Sequence, residues 1–502
     1  MAIEWERKFE LDVSAPVPDL TGTGLVAGRT EPVQQRLDAT YFDTRDLRLA
    51  KAGVTLRRRT GGTDAGWHLK IPLSLERREE IGLPLGEDRD TVPVELARLV
   101  TARSHGDELV PIAHIATTRD SAELLDAEGR TLAAVADDQV AAETIGQAPR
   151  LERWRELEVE LAEDAGAAVL DEVTETLRHQ GVRRATGPSK LSRILGDRLP
   201  AEDADAEPGT TAGEVVLGYL RRQAELLRAH DVGVRRGAED AVHQMRVAGR
   251  RLRSALSTFR RLLDRDATRD LADELKWLSG RLAAARDTEV LAARLAEQLD
   301  EQPTELVLGP VKAALTAHFA RQEREARDTA LEALDSTRYV ELLRGLDQLL
   351  TDPPLTHRAG RPADAELRHA LRRADRRLRR TVKALDGIED RSQLNEALHE
   401  VRKKAKQARY CADAAEPAFG ARLKSWRNGV KKVQSALGNQ HDCVVAADAL
   451  RELGVQAGLA GANAFTYGLL HRHNTAEAEH WQAVFHRRWN ELDDRRTPGW
   501  LG

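Results

Sequence analysis

Cysteine is almost missing from this chain: Cys411 and Cys443 are its two thiols in 502 residues. Two thiols build no disulfide framework and offer no metal-binding spacing, and they suit a reducing compartment. Aromatic side chains are scarce as well, at 4%, so a core must be assembled largely from aliphatic residues on long elements. No run of 18 apolar residues occurs, which removes a membrane-spanning helix from consideration. A basic-then-apolar leader is missing too, because Glu4, Glu6 and Glu10 fall in the first dozen residues. A cytoplasmic protein is the expectation.

Charge is what the chain has in excess. Charged residues make up 32%, with 77 Lys and Arg against 82 Asp and Glu for a net charge of −5. With totals so nearly balanced, any basic or acidic surface must come from local segregation. The length predicts two to four domains of roughly 100–200 residues each. The segment "LPAEDADAEPGTTAG" (199–213) carries acids, Pro, Gly and Thr and little to bury, so it reads as an acidic flexible linker.

Before that linker, residues 1–198 carry short stretches of period-two alternation between Gly and Pro signals: "IEWERKFEL", "GVTLRRRTGG", "GWHLKIPL", "TLAAVADD" and "RELEVELAE". These predict strands, interrupted by helices near "LARLVTAR" and "AAVLDEVTETLRHQ". After it, residues 214–495 turn to Ala, Leu, Arg and Glu with a 3.6-residue period and read as helical throughout. The helical half repeats itself. His243, Arg246, Arg250 and Arg253 fall on His399, Arg402, Lys406 and Arg409 at one constant offset; Leu282 and Asp287 fall on Leu437 and Asp442 at an offset one residue shorter. Repeat one spans about 214–350 and repeat two about 365–495.

In a strand, residues two apart share a face. Glu4, Glu6 and Lys8 are thus co-facial, with Ile3, Trp5 and Phe9 behind them; Arg57 and Arg59 oppose Leu56; His68 and Lys70 oppose Trp67, Leu69 and Ile71; Glu156, Glu158 and Glu160 oppose Leu157, Val159 and Leu161. For one strand the plain reading is a sheet with one side in water. The division of labour argues for more, because acids concentrate on the first and last long strands and bases on those between. If the sheet closes into a barrel, first and last strands meet, and carboxylates face arginines and lysines across one lumen. Such an interior needs water, ions or a polyanion to balance it.

The ExExK start (Glu4, Glu6, Lys8), Arg57 and Arg59, Lys70, the "RREE" segment, Arg119, Asp137 and Asp138, "ELEVEL" and "SKLSR" follow one another in an order that resembles the CYTH family, the triphosphate tunnel metalloenzymes. The resemblance implies an eight-stranded antiparallel tunnel, giving an α+β N-terminal domain. It implies a bound triphosphate and Mg2+ or Mn2+, with Glu4, Glu6, Glu158, Glu160 and Asp137 at the metal. Phosphate would be held by Lys8, Arg57, Arg59, Lys70, Arg77, Arg119 and Lys190, with Glu4, Glu6, Lys8 and Lys70 as catalytic residues. At "ERREEIG" the pairs Arg77 with Glu79 and Arg78 with Glu80 both fit the alternation, and the first is adopted. Clustered cations and a metal suit phosphoryl transfer, which asks mainly for positioning and charge stabilisation.

On a helix, His243, Arg246, Arg250 and Arg253 lie within an arc of about 80°, and His399, Arg402, Lys406 and Arg409 do the same, joined by Lys403 and Lys404. One such stripe reads as a solvated face; its duplication suggests two stripes presented to one extended anion. These helices resemble the CHAD family, histidine-marked helical domains. That likeness implies an all-α domain of two duplicated four-helix bundles that binds inorganic polyphosphate through His243, Arg246, Arg250, Arg253, His399, Arg402, Lys403, Lys406 and Arg409. The combined expectation is a metal-dependent inorganic triphosphatase coupled to a polyphosphate-binding domain, in the cytoplasm or at polyphosphate granules. The alternatives are an adenylyl cyclase using the same acids and bases, and a non-catalytic granule-binding protein. Nucleic acid is a weaker partner, since the helical half lacks repeated exposed aromatics for stacking.

Overall fold

The computed structural model describes residues 2–22, 24–74, 76–86, 88, 90–146, 148–185, 187–200 and 209–493. Two compact units divide the chain, Met1–Ala204 and Asp205–Gly502. Of the expected 199–213 linker, residues 201–208 lie outside the described residues.

Strands β1 (Ala2–Leu11), β2 (Gly28–Arg29), β3 (Val33–Asp43), β4 (Thr55–Thr60), β5 (Gly66–Pro72), β6 (Arg77–Leu83), β7 (Val110–Leu125), β8 (Thr131–Thr144), β9 (Leu151–Leu161) and β10 (Arg183–Arg184) form one sheet in the first unit. β1 pairs with β6 on one side, Glu4 opposite Arg78, and with β9 on the other, Glu6 opposite Glu160 and Lys8 opposite Glu158. The circuit β1–β6–β5–β4–β3–β7–β8–β9 therefore closes on itself, and β2 and β10 are short additions to β7 and β1. The closed eight-stranded antiparallel barrel that the resemblance implies is the fold found.

Alternation gives β1, β5 and β9 an apolar outer face that must be covered. Helices α1 (Arg48–Lys51), α2 (Val94–Leu99), α3 (Thr101–Ser104), α4 (Ala168–His179) and α5 (Lys190–Leu195) belong to this unit. Val169, Leu170, Val173 and Leu177 of α4 bury Phe9, Leu11, Val135, Leu157 and Val159 from outside, each large side chain contributing ~1.5–3 kcal/mol on leaving water. Leu96 of α2 and Val100 cover Leu56, Trp67 and Leu69. α5 packs on the other face: Leu191, Ile194 and Leu195 meet lumen-facing Ala39, Tyr41 and Ile115 and plug one end of the barrel. A capping box between Ser189 and Ser192 starts that helix and makes Lys190 its first residue.

The second unit is helical: α6 (Ala212–Arg236), α7 (Ala241–Thr258), α8 (Arg269–Arg281), α9 (Ala283–Asp300), α10 (Val311–Leu334), α11 (Thr337–Thr351), α12 (Ala363–Lys383), α13 (Arg391–Phe419), α14 (Lys424–Leu459) and α15 (Phe465–Asp493). None of the described helices is long and apolar enough to cross a membrane. Fully buried alanines on α13, Ala405, Ala408, Ala412 and Ala415, let neighbouring helices approach without large anchors. α6 starts earlier than expected. Thr211 and Glu214 form a capping box, and the N–H groups of Ala212 and Gly213 donate to Arg361 and Ala359, so residues 211–213 belong to the helical unit.

Candidate functional site

Strand alternation delivers charge to the lumen from every side. Glu4, Glu6 and Lys8 come from β1, Arg57 and Arg59 from β4, Lys70 from β5, Arg78 and Glu80 from β6, Arg119 from β7, Glu158 and Glu160 from β9, and Lys190 from the plug α5. They enclose a free volume of about 110 Å³. Asp138 and Glu156 are buried among them, at 0% and 3% exposure, and reach the network through Lys190.

Most of these charges are answered by another, while Arg57 meets the Tyr41 hydroxyl at 3.4 Å. Lys190 Nζ lies 2.7 Å from Asp138, 2.8 Å from Glu156 and 2.7 Å from Glu158. Arg119 donates to Asp138 at 2.8 and 2.6 Å and to Glu158 at 2.5 Å. Lys8 pairs with Glu6 at 3.0 Å and with Glu158; Lys70 pairs with Glu4 and lies 3.7 Å from Glu80; Arg78 lies 3.6 Å from Glu6. His68 meets Glu80 at 2.7 Å through Nδ1, and Arg59 pairs with Asp64 of the β4–β5 loop.

Environment divides the carboxylates. Desolvation, helped by the hydrogen bond and charge of Glu80, pushes Glu4 up to about 8. Glu160 belongs to an exposed residue whose side chain lines the lumen, and loss of solvent together with nearby Glu6, Glu158 and Glu80 raises it. In Glu6 and Glu158 the same desolvation is outweighed, by Lys8, Lys70 and Arg78 for the first and by Lys190, Lys8 and Arg119 for the second, so both are held below the usual range. Glu80 is also held well below it, desolvation yielding to hydrogen bonds from His68 and Glu4 and to Lys70 and Arg57. Arg59 is pushed down to about 10 by burial and by Arg57 and Arg119.

Two of the residues expected at the site lie elsewhere. Arg77 points to the outside of β6, its guanidinium 5.3 Å from the Trp5 ring, and the lumen position belongs to Arg78 with Glu80. Register decides it, since Glu4 faces Arg78 and the residues flanking it alternate away. Asp137 is likewise turned from the lumen: Arg155 holds it at 2.8 Å on the face shared with Val135 and Leu157, and its neighbour Asp138 takes the inward position. His68 and Glu156 join Arg78, Glu80 and Asp138 as lumen groups that the sequence assignment omitted, although all five sit in alternation with residues it did name.

The donor set fits a hard divalent cation, which prefers carboxylate oxygens and water. Asp138, Glu156 and Glu158 present oxygens within 4.8 Å of one another, with Lys190 as their counter-charge, while Glu4, Glu6 and Glu160 face the free volume beside the phosphate-suited cations.

The helical unit holds a second charged hollow. Arg250 and Arg253 of α7 and His399, Arg402, Lys403 and Lys406 of α13 line one cleft of about 630 Å³, joined by Arg265, Arg269 and Lys404. His243, Arg246 and Arg409 are not among its walls. Arg246 donates to Ala283 O at 3.1 Å and to Asp287 at 3.0 Å, while Arg409 lies over Tyr410 at 5.2 Å. Arg402 faces Asp442 at 4.0 Å as Arg246 faces Asp287. Burial, then Arg402 and Arg250, push Lys406 down to about 7. His441, its ring 4.6 Å from that of His399, falls to about 4 through burial and Arg402.

Comparison with known proteins places these geometries in context. Residues 2–194 match the CYTH domain and residues 218–451 the CHAD domain. Over 503 aligned residues the chain is 36% identical to an uncharacterized protein of Mycobacterium tuberculosis (strain CDC 1551 / Oshkosh), covering 98% of this chain and 96% of that one. Among solved structures, PptA from Streptomyces chartreusis is 27% identical with a TM-score of 0.48, covering 56% of this chain and 100% of that chain. The CHAD domain from the plant Ricinus communis is 25% identical with a TM-score of 0.46, covering 57% of this chain and 96% of that chain.

Proposed function

Because the chain belongs to the CYTH family through its barrel and to the CHAD family through its helical unit, we propose that it is a metal-dependent inorganic triphosphatase carrying a polyphosphate-binding domain. The observation that supports this most is the closed lumen itself, where Lys8, Arg57, Arg59, Lys70, Arg78 and Arg119 converge with the acids Glu4, Glu6, Glu158 and Glu160 on about 110 Å³. A linear triphosphate meets such a cradle by its oxygens, with charge spread over several guanidinium and ammonium groups.

In this reading Lys8, Arg57, Arg59, Lys70, Arg78 and Arg119 bind and orient the phosphates. Glu4, Glu6, Glu158 and Glu160 would hold Mg2+ or Mn2+, which would supply charge neutralisation and lower the pKa of water there. Lys190 acts from the plug, where its ammonium shares the neutralisation of Asp138 and Glu158 with Arg119 and also meets Glu156. A lumen carboxylate takes the proton of the attacking water, and the cations stabilise the leaving phosphate oxygen. The lining has few apolar surfaces, Leu37, Ala39, Tyr41 and Ile115, which favours an inorganic substrate over the adenine that cyclase chemistry would need to seat. In the helical unit, the two repeats each contribute one stripe to the shared cleft, and a long polyanion gains affinity there by multivalent contact.

Purified protein mixed with tripolyphosphate and Mg2+ or Mn2+ is expected to release phosphate, and EDTA or Glu4→Ala is expected to stop it. Wild-type silence towards tripolyphosphate, nucleoside triphosphates and thiamine triphosphate overturns the hydrolase reading. Cyclic nucleotide as the product from ATP moves it to cyclase.

A further inference from the structure

The lumen cations differ in where their counter-charge comes from. Arg119, Lys8, Lys70 and Arg78 are answered by acids of the barrel wall. Arg59 is answered by Asp64, which stands in the loop 61–65 between β4 and β5. The two partners are unlike in setting: the Arg59 side chain is 8% exposed and that of Asp64 55%.

The loop's backbone is fixed, and the Asp64 carboxylate is half exposed. Gly61 and Gly62 both have left-handed φ, 79° and 72°, and a Cβ at Gly61 would come 2.0 Å from Arg36 O, so only glycine makes this turn against β3. The carbonyl of Asp64 is tethered by His68 Nε2 at 2.9 Å, and the other His68 nitrogen meets Glu80. With the main chain held at both points, rotation about the Asp64 side-chain bonds alone is enough to release Arg59.

We propose that Asp64 is a displaceable competitor for Arg59, a specificity residue that a bound phosphate must replace and that favours triphosphate over shorter anions. The proposal rests on the lumen being the phosphate site. A half-exposed carboxylate returns to water at little cost, whereas the buried wall acids would leave uncompensated charge behind. A triphosphate reaches Arg59 while still held by the other cations and displaces Asp64. Pyrophosphate or orthophosphate left after cleavage has fewer such holds, so Asp64 recovers Arg59 and the product leaves.

The test uses full-length protein, Asp64→Asn, Arg59→Met and the double variant, titrated calorimetrically with pyrophosphate in the absence of divalent metal. Asp64→Asn is expected to tighten pyrophosphate binding roughly three- to tenfold, to strengthen pyrophosphate inhibition of turnover in parallel, and to lose both effects when Arg59 is Met. Unchanged or weaker pyrophosphate binding in Asp64→Asn overturns the proposal, as does a gain that survives without Arg59. The two readings fail separately: an inactive wild type in which Asp64→Asn still tightens pyrophosphate through Arg59 removes the hydrolase and keeps the competitor. An active wild type with an indifferent Asp64→Asn does the reverse.

Discussion

Arg77 and Arg78 are neighbours of identical chemistry that the pleat of β6 sends to opposite faces. Arg78 is 6% exposed and lies beside Glu6, while Arg77 stacks on Trp5 outside the barrel. If Arg78 holds phosphate, Arg78→Ala lowers kcat/KM for tripolyphosphate by about a hundredfold, the usual cost of a charge-stabilising donor. Arg77→Ala stays within about twofold, as an exposed substitution should. Steady-state phosphate release compares them directly, and equal losses refute the assignment. Lys406 carries a different residue-scale prediction. Burial beside Arg402 and Arg250 brings it down to about 7, so it is charged below that pH and neutral above. Only the ammonium attracts a polyanion. Polyphosphate affinity therefore falls as pH rises from 6 to 8.5, with proton uptake on binding near pH 7–8. Lys406→Arg, which stays charged throughout, flattens that profile in binding titrations at the two ends of the range.

At the scale of elements, legibility followed period and failed where neighbouring residues were alike. β5 and the Glu156–Leu161 stretch of β9 are readable because acids or bases alternate strictly with large apolar groups, and β1 and β4 keep that pattern except at Arg7 and Arg58. β6 and β8 were ambiguous because "RREE" and "ADD" offer the same chemistry on both faces, and the hydrogen-bond register that chooses between them, Glu4 with Arg78 and Asp138 with Glu156, is a long-range fact. The stripes of α7 and α13 were readable as stripes. Which of their members meet depends on helix packing, and that packing left His243, Arg246 and Arg409 outside the cleft walls. The start of α6 carries its own signal, Thr211 followed by Glu214. The plug offers an element-scale test. Ser189 caps α5 by accepting from Ser192 N, so Ser189→Ala costs about 1 kcal/mol and loosens the seat of Lys190. A lowered Tm of the barrel transition together with a raised KM for tripolyphosphate is the expected outcome. Loss of Tm with unchanged KM restricts Ser189 to a structural part.

At the scale of the whole molecule, two anion-suited hollows lie in two units with different designs. In the barrel Lys8, Lys70, Arg78, Arg119 and Lys190 are matched by acids of the wall, so most of its charge is closed and what it gains is position. The helical cleft gathers Arg250, Arg253, Arg265, Arg269, Arg402, Lys403, Lys404 and Lys406, of which Arg269, Arg402 and Lys403 have acidic neighbours; on the proposed reading a long polyanion bound there would release counterions and depend strongly on salt. The designs predict separable losses. Glu4→Ala removes hydrolysis of tripolyphosphate and leaves long-chain polyphosphate bound with its salt dependence intact. Neutralising Arg250, Arg402 and Lys406 together weakens long-chain binding by an order of magnitude or more and makes the remaining affinity less sensitive to salt, because fewer counterions are released. The same triple variant keeps its kcat for tripolyphosphate. Filter binding of labelled polyphosphate across a salt series, run beside phosphate release on the same preparations, reads both. If the cleft variant also loses kcat while staying folded, turnover in the barrel depends on the helical unit and the two hollows act as one.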